Sequence, residues 1–165
     1  MPSILPNEDT DISKIVKLNF EKRGIKIKTN SALKSVTTKE NSVSAEIITN
    51  EKVETINSEK LILAIGIIAN TEKLGLKDFN VKIDKGHIVT NEFLETDEKG
   101  VYAIGDITDG PWLAHKASHE GILCVEKIAG HQNLKPIDKT SIPACTYCRP
   151  QVASIGMTET QARSK

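Results

Sequence analysis

The chain has 165 residues, and its 22 basic side chains are matched by 22 acidic ones, so no charge footprint for nucleic acid or an anionic membrane surface is present. Its longest apolar run, residues 61–69 with Gly66 inside it, is far shorter than the roughly 20 residues a membrane helix needs. The first residues have neither the basic start nor the apolar stretch of a signal peptide, which makes the cytoplasm the expected setting.

Asp9-Thr10-Asp11 supplies N-cap candidates and first-turn negative charge, and Ile12, Ile15, Val16 and Phe20 follow at helical spacing until Gly24. An amphipathic helix is predicted there. Ile25-Lys26-Ile27-Lys28 alternates as a half-buried strand, the helix-to-strand step of a doubly wound α/β unit. Runs at 33–38, 43–49 and 53–56, separated by short polar turns, predict a β-meander. Residues 61–65, Leu-Ile-Leu-Ala-Ile, are apolar on both faces, as a central parallel strand would be. Gly66 ends that run, either to let a ligand approach or only to leave the strand tightly.

From 71 to 91 the chain is rich in turns, with Asp84-Lys85-Gly86 the clearest. Val101-Tyr102-Ala103-Ile104 reads as a short strand ending in Gly105-Asp106, and a long helix should start near Leu113 and stop at Gly130. Leu113, Ala117, Gly121, Cys124, Val125 and Ile128 form its expected apolar stripe. A linker containing Pro136 follows, then two strands within 145–156 and the start of a helix at Thr158.

Gly105 and Asp106 carry the most chemistry. A glycine lets backbone come close to a ligand, and a carboxylate at the end of a strand offers two acceptors to the hydroxyls of a ribose or ribityl chain. The helix beginning near Leu113 adds unpaired N–H groups and a positive dipole end that favour negative charge. Cys145-Thr146-Tyr147-Cys148 has the spacing of a redox pair or half a zinc site, but its prolines, Pro143 and Pro150, favour an extended segment. There, positions i and i+3 sit roughly 10 Å apart, beyond the about 7 Å a disulfide spans. A structural role is expected for both cysteines. Cys124 is expected in a core, His119-Glu120 on a solvated or packing face, and no metal site is expected.

Residues 94–121 resemble the second flavin-contacting motif of the pyridine nucleotide-disulfide oxidoreductases. The run Leu113-Ala114-His115-Lys116-Ala117-Ser118-His119-Glu120-Gly121 is most similar to the dihydrolipoamide dehydrogenase branch of that family. Residues 4–9 resemble the stretch after the acidic strand of the family's NAD domain, Ala64-Ile65-Gly66 with Asn70-Thr71 its end, and 142–156 the start of its interface domain. Ile67-Ile68-Ala69 departs from the pattern, since the family usually has basic residues and a proline before the asparagine.

The resemblance implies an α/β chain made of partial doubly wound nucleotide-binding domains with a β-meander, plus the first strands of an α+β interface domain. Its divisions would be 1–69, the rear half of an NAD domain; 70–137, a central FAD-contacting segment; and 138–165, the start of a dimerisation domain. It implies FAD and NAD as cofactors, with Gly105, Asp106, Trp112, Leu113, Ala114 and His115 toward FAD and Gly66 toward NAD. Asp106 would bind the ribityl chain, and N–H groups around Leu113, Ala114 and His115 would lie by the pyrimidine edge of the ring. Trp112, where the family often has Met, would lie near the flavin or fill a core gap.

The implied reaction carries electrons from dihydrolipoamide through a disulfide and FAD to NAD+, in a homodimer serving the lipoyl domains of 2-oxo acid dehydrogenase complexes. No G-x-G-x-x-G occurs here, and the family's redox cysteines and catalytic His-Glu pair match nothing in the chain. The sequence therefore reads as an internal piece of a longer enzyme, inactive alone and without catalytic residues of its own. The alternatives are a glutathione- or mercuric-reductase-like relative and a non-catalytic binding module on the same scaffold.

Overall fold

The computed structural model describes residues 1–165, which divide into two compact units, 1–65 with 145–165 and 66–144. The first opens with helix α1 (Thr10–Lys22), which buries Ser13 and Val16. Its end is a Schellman arrangement: the Gly24 N–H donates to the Glu21 carbonyl at 2.9 Å and the Ile25 N–H to the Phe20 carbonyl at 3.1 Å. Asp9 stands at the N-cap position without capping α1. Its carboxylate instead accepts from the Glu159 N–H at 2.8 Å, at the start of helix α3 (Glu159–Arg163). Thr158 and Gln161 complete a capping box on that same short helix. Ser154 donates to the Glu8 carboxylate at 3.1 Å, a second link between the two ends of the sequence.

The meander forms as predicted and runs longer than its apolar cores: β1 (Ser31–Lys39), β2 (Ser42–Thr49) and β3 (Lys52–Ser58) pair antiparallel in that order. Pairs Lys39↔Ser42 and Thr49↔Lys52 close two-residue turns, and a bulge lies between Leu33 and Ser35. Strands β6 (Ala144–Thr146) and β7 (Val152–Ser154) form a separate two-stranded sheet, where the sequence placed two strands.

Two expected strands are absent. Residues 25–28 and 61–65 are extended but belong to no ladder. Alternation and apolar content describe an environment that suits a strand, but a strand exists only where a neighbour accepts its backbone hydrogen bonds. Every sheet of this chain pairs antiparallel neighbours where its register is defined, and no strand lies beside 61–65. Ile62, Ile65 and Ile68 are accordingly exposed.

In the second unit, β4 (Ile83–Asp84) and β5 (His87–Ile88) form a hairpin over Lys85 and Gly86, whose φ values of 48° and 86° give the doubly left-handed turn that suits strand twist. Thr71 is buried and donates its hydroxyl to the Gly86 carbonyl at 3.0 Å, pinning the hairpin tip. Leu94, Leu123 and Cys124 form the core, packed by Phe93, Tyr102, Leu134 and Ile137. Residues 101–104 are not a full strand. They make an antiparallel bridge, Glu95↔Tyr102, flanked by the Thr96 N–H to Val101 and Ala103 N–H to Leu94 bonds, both 3.0 Å.

Helix α2 (Ala114–Ile128) begins and ends where predicted, with Leu113 as N-cap and Gly130 just beyond its C-cap Ala129. Its buried face differs from the predicted stripe. Val125 and Ile128 are exposed, and the buried positions are Lys116, Glu120, Leu123 and Cys124. Those four also recur at helical spacing, so the helix is amphipathic about an axis that charge alone disguised.

Candidate cofactor-contact site

Gly105, Asp106 and Ile107 form a single 3-10 turn leading to Thr108, and helix α2 packs against it. Gly105 has φ +76°, and a Cβ there would lie 3.3 Å from the Ala117 Cβ, so both backbone conformation and the close approach of the helix select glycine. The turn is held from below by two charged side chains. Lys116 and Glu120 are 1% and 3% exposed and form an ion pair of 3.0 Å. The Glu120 carboxylate accepts from the Gly105 N–H at 2.6 Å, while the Lys116 ammonium donates to the Gly105 carbonyl at 3.0 Å and to the Thr108 hydroxyl at 3.2 Å. Thr108, itself buried, closes the turn by donating its hydroxyl to the Gly105 carbonyl at 2.8 Å.

Buried charges persist where each has its opposite and its remaining hydrogen bonds. Here both conditions hold. Of the pair His119-Glu120, expected on a solvated or packing face, Glu120 is deeply buried and bonded to backbone while His119 is exposed. In the sequence only the apolar residues 123 and 124, at helical spacing from 116 and 120, mark this face.

Above this base Asp106 is exposed and joins no ion pair, leaving its oxygens available to an external donor. Leu113 caps α2 without a side-chain bond, so the N–H groups of the first turn, at Ala114, His115 and Lys116, have no capping acceptor. Trp112 packs edge-on against His87, with ring centroids 5.8 Å apart and planes at 80°. His115 turns its ring away into a 2.7 Å contact between Nε2 and the Pro143 carbonyl, so only its backbone remains for the helix terminus. Gly105, Asp106, Trp112, Leu113, Ala114 and His115 thus fall on one turn and the helix start that follows it. Gly66 stands apart, exposed at φ +146° with nothing within 4 Å of its missing Cβ.

The profile of the family described as pyridine nucleotide-disulphide oxidoreductase matches residues 1–121. The chain belongs to this family. A dihydrolipoyl dehydrogenase of Rhizobium etli is 46% identical over 164 residues, covering 99% of this chain and 34% of the relative. One of Zymomonas mobilis is 46% identical over 165 residues, covering 99% of this chain and 35% of the relative. Among solved structures, LpdA of Mycobacterium tuberculosis superposes with a TM-score of 0.86 at 25% identity, covering 96% of this chain and 34% of that one. The chain spans about a third of the length of the curated relatives it matches.

Other groups in this family member are placed by simpler forces. Burial, then the charge of Glu95, pushes the Cys124 thiol above its ordinary pKa, which makes it a poor nucleophile. Cys145 and Cys148 are free, the first exposed. The Lys139 ammonium, 3.2 Å from Asp109, holds that carboxyl below its usual range. No group of three His, Cys, Asp or Glu side chains is arranged to hold a metal, and no helix is long and apolar enough to cross a membrane.

Proposed function

We propose that this chain is the FAD-contacting and NAD-domain portion of a cytoplasmic dihydrolipoyl dehydrogenase, a homodimer that oxidises dihydrolipoamide on the lipoyl domains of 2-oxo acid dehydrogenase complexes. The observation that carries the reading is an unpaired, exposed Asp106 raised on a glycine turn beside an uncapped helix start. The donor set fits FAD: carboxylate oxygens suit ribityl hydroxyls, and free N–H groups at a helix N-terminus suit an electron-rich ring edge. FAD, when bound, supplies two-electron redox chemistry between a dithiol and NAD+.

In this reading Asp106 orients the ribityl chain. The N–H groups at Ala114 and His115 favour negative charge at the pyrimidine edge, Gly105 admits the close approach, and Trp112 lies alongside. Gly66 contributes on the NAD side. Residues 1–69, 70–137 and 138–165 correspond to the rear of the NAD domain, the central FAD-contacting segment and the start of the interface domain.

The test is a graft. Residues 1–165, set in place of the matching third of the Rhizobium etli relative, should give a yellow protein that reduces NAD+ with dihydrolipoamide. Asp106→Asn in the graft should lower flavin occupancy, while the 165-residue chain alone should show no turnover. A graft that folds as a dimer but holds no flavin would overturn the reading.

A further inference from the structure

Lys116 and Glu120 grip the two ends of one peptide residue with opposite charges: the carboxylate takes the Gly105 N–H and the ammonium takes the Gly105 carbonyl. The ammonium also reaches Thr108, so the turn is held at its first and last residues while the one side chain left exposed between them is Asp106. We infer that Lys116 and Glu120 are positioning residues of the flavin site, acting through the Gly105 backbone to set the direction of the Asp106 carboxylate. The inference rests on the reading of Asp106 as a ribityl ligand.

Stability alone does not call for this pair. Two apolar side chains of similar length would fill the same volume without the desolvation cost of two charges, and such replacements are often neutral or stabilising. They would be unable to bind either end of the Gly105 peptide. What the charges add is directional: a donor and an acceptor on successive turns of α2, spaced to hold a residue at φ +76°. Because the two charges neutralise each other, the base of the turn is oriented without placing a net charge beneath Asp106.

The deciding variant is the double replacement Lys116→Met with Glu120→Met, made in the graft with the Rhizobium etli relative and in the 165-residue chain. FAD dissociation from the graft is followed by recovery of flavin fluorescence, and Gly105 amide exchange and the melting midpoint are measured in the chain. Loss of the charge-assisted bonds should weaken FAD by about tenfold or more. Gly105 exchange should accelerate by a similar order, about tenfold, as the turn loosens. The melting midpoint should change little. Lys116→Met with Glu120→Gln keeps an acceptor oxygen for the Gly105 N–H without leaving a charge unpaired, and should retain FAD better than the double methionine variant, a rescue that mere loss of a core contact would not give.

FAD binding within about twofold of the unmodified graft, with Gly105 equally protected, would overturn the inference while leaving the flavin reading intact. Should the double methionine variant not fold, Lys116→Met with Glu120→Gln, which leaves no unpaired charge, carries the same two readouts, and unchanged values there overturn it. An unmodified graft without FAD would defeat the flavin reading itself, a result recognisable before any variant is made.

Discussion

At positions 116 and 120 two charged side chains are almost wholly removed from solvent, whereas at 62 and 65 two isoleucines stand 87% and 88% exposed. Both regions run against hydropathy, in opposite directions and for different reasons. The charges of α2 are satisfied within the chain by each other and by the Gly105 backbone. The isoleucines have no strand beside them to pair with and no surface to cover them. A buried polar group therefore reports a contact the chain completes, and an exposed apolar run one that it leaves open.

The sharpest way to break this comparison is to remove one partner of the buried pair. Lys116→Ala or Glu120→Ala leaves an uncompensated charge below the turn, and should cost about 3–5 kcal/mol of stability. Urea unfolding followed by a probe in residues 66–144 measures it. A loss no larger than that of an exposed ion pair would mean that water reaches the site and that the two regions do not differ as described.

Much of the fold was legible because it depends on local chemistry. The three meander strands, the Lys85-Gly86 turn and both ends of α2 follow from alternation, turn residues and glycine stops acting within a few positions. The six residues expected toward FAD fall within 105–115, near enough in sequence for local chemistry to put them on one turn and the helix start after it, whereas Gly66 does not join them. Four things were not legible. Residues 25–28 alternate as a strand does yet join no ladder. Residues 61–65 have a central strand's composition but not its neighbours, and pairing is a non-local fact. Residues 101–104 look like a strand yet make one bridge before the 3-10 turn. The buried face of α2 was misread because a Lys and a Glu four apart usually mark solvent, and only the backbone of a turn in another element reverses that.

A second pair sharpens the contrast within the same unit. Asp109 and Lys139 are also in contact, yet their side chains are 89% and 53% exposed. A carboxyl whose folded pKa is depressed adds stability above its unfolded pKa, near 3.9 for Asp, and loses it as pH falls through the folded value. Stability from this contact should thus be flat from neutral pH to about 5, then decline at acid pH. Asp109→Asn should remove that part of the acid dependence, with a neutral-pH effect toward the lower end of the roughly 0.2–1 kcal/mol seen for exposed pairs. A pH titration of the melting midpoint, wild type against variant, checks both the sign and the window.

The smallest expected effect lies on the other side of the comparison. Ile62→Thr and Ile65→Thr each remove apolar surface that is already in water, so within the 165-residue chain each should change unfolding free energy by no more than about 0.5 kcal/mol. The same substitutions in the graft should cost far more, because there the rest of the relative can supply neighbours for the extended run, and burying a large aliphatic side chain contributes roughly 1.5–3 kcal/mol. The ratio between the two settings is the informative quantity. Equal, small losses in both would show that residues 61–65 stay uncovered in the longer protein as well. A large loss confined to the graft would show that these isoleucines are suited to a core that this chain does not build alone.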